Sequence, residues 1–194
     1  MLTHLKQSLL MLVLFTVLTG AIYPLAVTGL ARLTLAHQAG GSMIEHDGRA
    51  AGSELIGQPF SDPKHFWSRP SATSPWPYNA SASSGSNLGP TNPALADAVS
   101  GRIKALRDAD PSNAGAVPAD LVTASASGLD PHISPAAAEF QVARVARARG
   151  MDPAQVRRMV ERHTQGRQLG FLGEPVVNVL ALNLDLDRAV APAH

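Results

Sequence analysis

The chain of 194 residues contains no cysteine and little charge. Without cysteine it has no disulfide, no catalytic thiol, no thiolate ligand for a metal and no lipoprotein anchor. Only 16% of the residues are charged, and the formal net charge is +1. This balance favours neither a nucleic-acid surface nor an acidic tail, so we expect no nucleic-acid partner.

The sequence also lacks the motifs that carry familiar chemistry. It has no Gly-x4-Gly-Lys-Ser/Thr phosphate loop, no Asp-Lys-Thr-Gly phosphorylation motif and no Gly-x-Ser-x-Gly nucleophile elbow. Its seven histidines include no His-x3-His pair and no second metal ligand at a recognisable spacing. We therefore expect no catalytic residue, no metal site and no firmly bound cofactor on this chain.

What the sequence does have is an uncharged apolar run at residues 7–31, between Lys6 and Arg32. As a helix it would extend about 37 Å, more than the ~30 Å hydrocarbon core of a bilayer. A signal peptide is one alternative, but its apolar region is only ~7–15 residues long and ends in a cleavage site that is not evident here. A buried core helix is another. We predict a transmembrane helix at 7–31, a cytoplasmic tail at 1–6 and one extracytoplasmic domain at 32–194.

Small or kinking residues recur every four positions within this run, at Thr16, Gly20, Pro24 and Thr28. Proline removes one backbone hydrogen bond and predicts a kink, and small residues at this spacing let a second helix approach closely. The stripe either contacts a partner helix or faces lipid.

The region from Phe66 to Pro93 predicts a long loop, because its prolines forbid a regular helix or a central strand. Its large aromatic side chains favour order over disorder. Two interpretations stay open: a packed structural loop, or a surface that contacts a partner or ligand. The residues concerned are Phe66, Trp67, Trp76 and Tyr78, with Arg69 as the charged member.

Helices are predicted from Pro93 to about Asp110, from Ala136 to Arg149, and onward from Asp152. Asn92 and Ser134 are the predicted N-caps of the first two helices, and Asp152 with Gln155 has the spacing of a capping box. Short strands and turns are expected at 42–57, and further strands at 120–125 and 176–187, the last with alternating leucines. The predicted fold class is α+β. Arg144, Arg147 and Arg149 form either a solvated helix face or an anion site, and the spacing favours the solvated face.

Several blocks, in order along nearly the whole chain, resemble the C subunit of the Kdp-type potassium-transporting ATPase. They are Tyr23-Pro24, the stretches at 52–58 and 66–73, Tyr78-Asn79, and the stretches at 84–88, 121–130, 144–149, 176–180 and 182–184. A single block would mean little, but the ordered set is specific.

The resemblance implies a single-pass protein of the bacterial inner membrane, with a cytoplasmic N-terminus and a periplasmic domain. The implied partners are a channel-like subunit that carries potassium, a P-type subunit that hydrolyses ATP and a small single-span subunit, together with the lipid bilayer. ATP and potassium would be handled by those subunits, leaving this chain as a non-catalytic accessory subunit. The expected partner interface comprises Thr16, Gly20, Tyr23, Pro24, Thr28, Trp67, Arg69, Trp76 and Tyr78.

One proposal for the family makes the C subunit a catalytic chaperone that raises the ATP affinity of the hydrolysing subunit through a Leu-Ser-Gly-Gly-Gln-like stretch. The corresponding residues here are Met151-Asp-Pro-Ala-Gln155, which keep only the glutamine. Helix capping already explains Gln155 and is the favoured role, and an external domain cannot touch cytoplasmic ATP. We therefore favour a subunit that braces the channel subunit and affects ATP hydrolysis through assembly. The alternative is an anchored module that binds a saccharide or peptide through the aromatic loop at 66–79.

Overall fold

A computed structural model describes residues 1–46 and 48–190, without the side chain of Val190. Residues 191–194 of the predicted domain lie outside the described residues. The chain divides into two compact units, Met1–Met43 and a second unit that begins at Ile44. The second combines helices with small sheets, which confirms the predicted α+β class.

The first unit is an apolar helix with an internal π turn. Helix α1 (Leu2–Val17) passes through the π turn (Leu18–Ile22) into α2 (Tyr23–Thr34), and a short helix α3 (Ala36–Ala39) follows. Residues 2–34 are long and apolar enough to cross a membrane, and none of them is buried within the described protein. The glycine pair at 40–41 ends the helical region, as predicted.

The π turn shows how the helix accommodates Pro24. The backbone N–H of Tyr23 donates to the carbonyl oxygen of Leu18, five residues earlier, instead of four. Proline has no N–H to donate, and a local π adjustment re-pairs backbone groups that a regular α-helix would leave free. Where the sequence predicts a kink at Pro24, the structure has a π turn directly before that residue.

The second unit contains two small sheets and four helices within its described residues. Strands β1 and β2 form one sheet, and β3, β5 and β4 form an antiparallel sheet in that order, with Val177 of β5 opposite both Ile133 and Thr164. The elements are β1 (Met43–His46), β2 (Arg49–Ser53), α4 (Pro93–Ala109), β3 (His132–Ile133), α5 (Pro135–Arg149), α6 (Pro153–Arg162), β4 (Thr164–Gln165), β5 (Val176–Asn178) and α7 (Val179–Val190).

The apolar core lies among α5, α6, α7 and β5. Ala137, Val145, Val156, Val177 and Leu182 are almost completely buried there. The predicted N-caps Asn92, Ser134 and Asp152 are confirmed, each side chain accepting a hydrogen bond from a backbone N–H of the first turn. These capping side chains therefore determine the residues at which α4, α5 and α6 begin.

The predicted strand at 176–187 is wrong beyond Asn178, where α7 begins. The Oδ1 atom of Asn178 accepts from the Ala181 N–H at 3.0 Å, which starts a helix. The buried residues of α7 then follow a helical repeat rather than alternation, because leucine is a good helix former and burial recurs at a spacing of three or four, from Val179 to Leu182 or Asn183 and from there to Leu186. Leu180, at the start of α7, is buried as well.

The predicted strand at 120–125 is also wrong. Residues Ala119–Leu121 form a 3-10 turn, in which the carboxylate of Asp120 accepts from both the backbone N–H and the hydroxyl of Ser134. Asp120 therefore reinforces the start of α5, and Leu121 is buried from a turn. A short apolar run bounded by turn residues does not by itself distinguish these two structures.

Candidate assembly surfaces

The predicted helix stripe is brought onto one face by the π turn. At about 100° per residue, Thr16 and Thr28 of an uninterrupted α-helix would lie about 120° apart. The one extra residue of a π turn shifts everything beyond it by about 100°, which leaves those two side chains about 20° apart. Pro24 falls on the same side, and Gly20 lies within the turn itself. Tyr23 points about 120° away from this stripe.

The long loop is held to the second unit by two buried amides. Asn183 of α7 accepts from the Phe66 N–H at 2.8 Å and donates to the Phe66 carbonyl at 3.0 Å. Gln141 of α5 does the same for Trp67, at 2.8 and 3.2 Å. Both amides are about 99% buried. Side chains thus supply the pairing that a neighbouring strand would give, and they fix the course of the loop.

Two arginines of α5 also hold the long loop to the second unit. Arg144 donates to the carbonyl oxygens of Pro63 and His65 and stacks on the Trp67 ring at 4.6 Å. Arg149 donates to the Lys64 carbonyl at 2.6 Å. The prediction that these arginines form a solvated face is wrong for both, whose side chains are buried, and right for Arg147. Burial lowers the pKa of Arg144 to about 10, so the group stays charged at neutral pH.

Arg69 and Tyr78 are also used internally. Arg69 pairs with Asp130 at 3.0 Å, and the Tyr78 hydroxyl donates to the Arg69 carbonyl oxygen. The Tyr78 ring lies so close to Gly57 that a Cβ atom there would meet ring carbon Cε1 at 2.3 Å. Burial raises the pKa of Tyr78 to about 12, which keeps its hydroxyl a donor.

Of the loop residues predicted to contact a partner, Trp76 alone is largely exposed, at 58%. Trp67, Arg69 and Tyr78 are partly buried in the packing just described. The structure therefore uses three of the four in packing within the second unit and leaves Trp76 exposed.

Gln155 lies on the exposed side of α6, at a shallow groove of about 540 Å³ between α6 and α7. The predicted reciprocal capping box is wrong, because Asp152 accepts from the N–H of Ala154 rather than that of Gln155. The backbone N–H of Gln155 donates instead to the Asp152 carbonyl. Arg158, Arg162 and Arg188 line the same groove together with Asp185, which pairs with Arg162, so the groove keeps a net positive charge.

Carboxylate clusters tie α7 to its neighbours. Arg149 and His65 bind Asp187, while Arg162 and His163 bind Asp185. Burial raises the pKa of each aspartate, but the hydrogen bonds from these partners outweigh it, so both pKa values are lower than usual. Within residues 1–46 and 48–190, no three His, Asp or Glu side chains are placed to hold a metal ion.

An apolar tip that the sequence analysis missed stands out between β4 and β5. Leu169, Phe171 and Leu172 are 83%, 68% and 48% exposed. The signal was present as three large apolar residues inside a turn bounded by Gly166 and Gly173.

Comparison with known proteins places these features in a family. The model of the family described as "K+-transporting ATPase, c chain" matches residues 5–188. The chain is 65% identical to the potassium-transporting ATPase KdpC subunit of Sorangium cellulosum, covering 97% of this chain and 100% of that protein. It is 63% identical to the Methylococcus capsulatus subunit of the same name, over 96% of this chain and 98% of that one. This protein therefore belongs to the KdpC family of potassium-transporting ATPase subunits.

Proposed function

We propose that this protein is a non-catalytic assembly subunit of a high-affinity, ATP-driven potassium uptake complex in the bacterial inner membrane. Its helix crosses the membrane once from a cytoplasmic N-terminus, and its domain stands on the periplasmic side. There the domain braces the channel-like potassium subunit and covers its entrance. The P-type subunit that hydrolyses ATP and a small single-span subunit complete the complex. The names of the relatives support membership of such a transporter.

The observation that carries this proposal is the small-residue stripe on the helix. In lipid, helices associate by close packing of small side chains, since the bilayer is as apolar as leucine. The π turn places Thr16, Pro24 and Thr28 on one face although their spacing would otherwise spiral them apart. The resulting groove suits a partner helix, and Tyr23 on another face is free to contact a second neighbour or the interface.

The fastened loop supports a bracing role for the domain. A brace must hold its shape, and the buried amides of Gln141 and Asn183 fix the loop to two helices. The alternative, a saccharide or peptide site in the aromatic loop, needs exposed ring faces. Arg144 stacks on the Trp67 ring, and the Tyr78 ring packs against Gly57, so the packing favours the brace. Trp76 and the exposed part of Arg69 would be its contact points.

We propose that ATP and potassium are bound by the partner subunits, and that any gain in ATP affinity arises through assembly. The finer family proposal assigns that gain to the glutamine, here Gln155. The basic groove beside Gln155 would suit phosphate chemically. A periplasmic groove, however, is separated from cytoplasmic ATP by the membrane.

Kinetics of the purified complex test this division of labour. We expect Gln155→Ala to leave both subunit composition and the KM for ATP unchanged, as should the matched control Gln165→Ala at another exposed glutamine. Normal assembly combined with a large rise in the KM for ATP, seen with Gln155→Ala alone, would contradict the proposal and support direct nucleotide contact.

A further inference from the structure

The apolar tip at residues 167–174 is an ordered structure whose large apolar side chains are about half to four-fifths exposed. The backbone groups of Gln168 and Leu172 bond to each other in both directions at 2.9 Å, and an Arg167–Glu174 ion pair of 2.6 Å closes the base. The three large side chains Leu169, Phe171 and Leu172 project from this small loop into solvent. Elsewhere in the described second unit, exposed large apolar side chains stand singly, as at Leu55 and Trp76.

The backbone at the tip argues that Leu169 is present for its side chain rather than for the turn. Leu169 and Gly170 both have positive φ, 52° and 82°. Such a turn favours Asn-Gly, and a left-handed conformation is uncommon for a bulky residue. Leucine is therefore a locally unfavourable choice that also exposes apolar surface. A contact made by its side chain accounts for both costs.

We propose that this tip inserts into the surface of the lipid bilayer in which the protein's own helix is anchored. The inference rests on the proposed membrane anchor. A stable protein interface buries about 800 Å² per partner. Even an aromatic side chain buries only ~150–250 Å², so the area that two leucines and one phenylalanine can bury is well below that value. That area is too small for a free protein or a second copy of this chain.

The tether makes so small a contact sufficient for the bilayer. Only residues 35–43 separate the apolar helix from the second unit, so insertion is intramolecular and benefits from a high effective concentration. A weak apolar insertion becomes stable when a second anchor is already in place. Because Arg167 and Glu174 neutralise each other, the contact requires no anionic lipid.

Spin labelling of the full-length protein in phosphatidylcholine vesicles tests the proposal, and the lack of native cysteine makes single labels unambiguous. A nitroxide at Gln168→Cys should collide with oxygen more, and with a water-soluble nickel reagent less, than one at Ser100→Cys on exposed α4. The difference should vanish when Leu169→Asn and Phe171→Ser are added. These changes are expected to fold normally, since both side chains are exposed and asparagine suits the turn.

Three results would contradict the proposed insertion, and they can be told apart. Protein that fails to float with the vesicles contradicts the anchor and this proposal together. Protein that floats, with equal nickel access at both labels, overturns the insertion alone. In the complete transporter, a label at Gln168→Cys that is shielded from both oxygen and nickel would mean that the tip docks on a partner subunit instead, which also overturns it.

Discussion

At the scale of single residues, two buried amides fix the loop at Phe66 and Trp67. Asn183 and Gln141 satisfy backbone groups of residues that lie 117 and 74 positions earlier in the chain. Neither could be assigned this role from sequence, because a polar residue on a helix is more often solvated and its partner is irregular backbone. Arg144 was misjudged for the same reason. Polar residues whose partners lie far away in sequence carry no local signal.

Replacing Asn183 with leucine should destabilise the second unit by about 2–6 kcal/mol. The change keeps the branched shape of the side chain but leaves the buried N–H and C=O of Phe66 without partners, each costing ~1–3 kcal/mol. Denaturant unfolding of the full-length protein in detergent measures the loss. The exposed Gln155→Ala is the control, expected within ~0.5 kcal/mol of wild type. Equal stability of the two variants would refute the role assigned to the amide.

Acid should weaken the second unit only below about pH 4. Partners lower the pKa values of Asp130, Asp185 and Asp187 despite burial, which acts to raise them. A carboxylate with a depressed folded pKa stabilises the fold above its unfolded pKa of ~3.9, and this contribution is lost as pH falls through the folded value. Thermal melts from pH 7 to 2 should stay level and then drop. Asp187→Asn should melt lower at pH 7 and lose less on acidification; an unchanged acid-induced drop would argue against this origin.

At the scale of elements, capping residues predicted where helices begin better than hydrophobic periodicity predicted the type of element. The helix starts were predicted correctly at Asn92, Ser134 and Asp152, because an N-cap hydrogen bond joins residues that are close in sequence. Periodicity failed at α7, where alternate leucines fit a strand as well as they fit a helix. The deciding contact was the Asn178 side chain on the N–H of Ala181. An asparagine before a leucine-rich run could have indicated the helix.

The π turn yields a prediction for assembly. Pro24→Ala should restore a regular α-helix, rotate Thr28 about 100° away from Thr16 and reduce co-purification of the other subunits. Gly20→Leu should have the same effect by filling the stripe directly. Leu25→Ala, at an exposed position off the stripe, is the control. Wild-type yields of complex from both Pro24→Ala and Gly20→Leu would show that the stripe faces lipid.

For the whole molecule, the sequence was sufficient for the α+β class, the apolar helix and the family, because each depends on long or repeated patterns. The fastened loop and the apolar tip depend on three-dimensional neighbours and were not predictable in detail. Orientation remains our proposal. Protease should digest the domain in cells whose outer membrane alone has been made permeable. It should leave the domain undigested in inverted inner-membrane vesicles. Digestion only in the inverted vesicles would reverse the topology.

The most direct test of the account is to exchange the helix while keeping the domain. Residues 7–31 are replaced by an unrelated single-span helix of equal length, and potassium-dependent ATP hydrolysis is measured in the purified complex. If the helix is an assembly surface, the exchanged protein should still reach the membrane but lose the other subunits, and with them the potassium-dependent activity. A complete, fully active complex would contradict the account, because it would show that the helix serves only as an anchor.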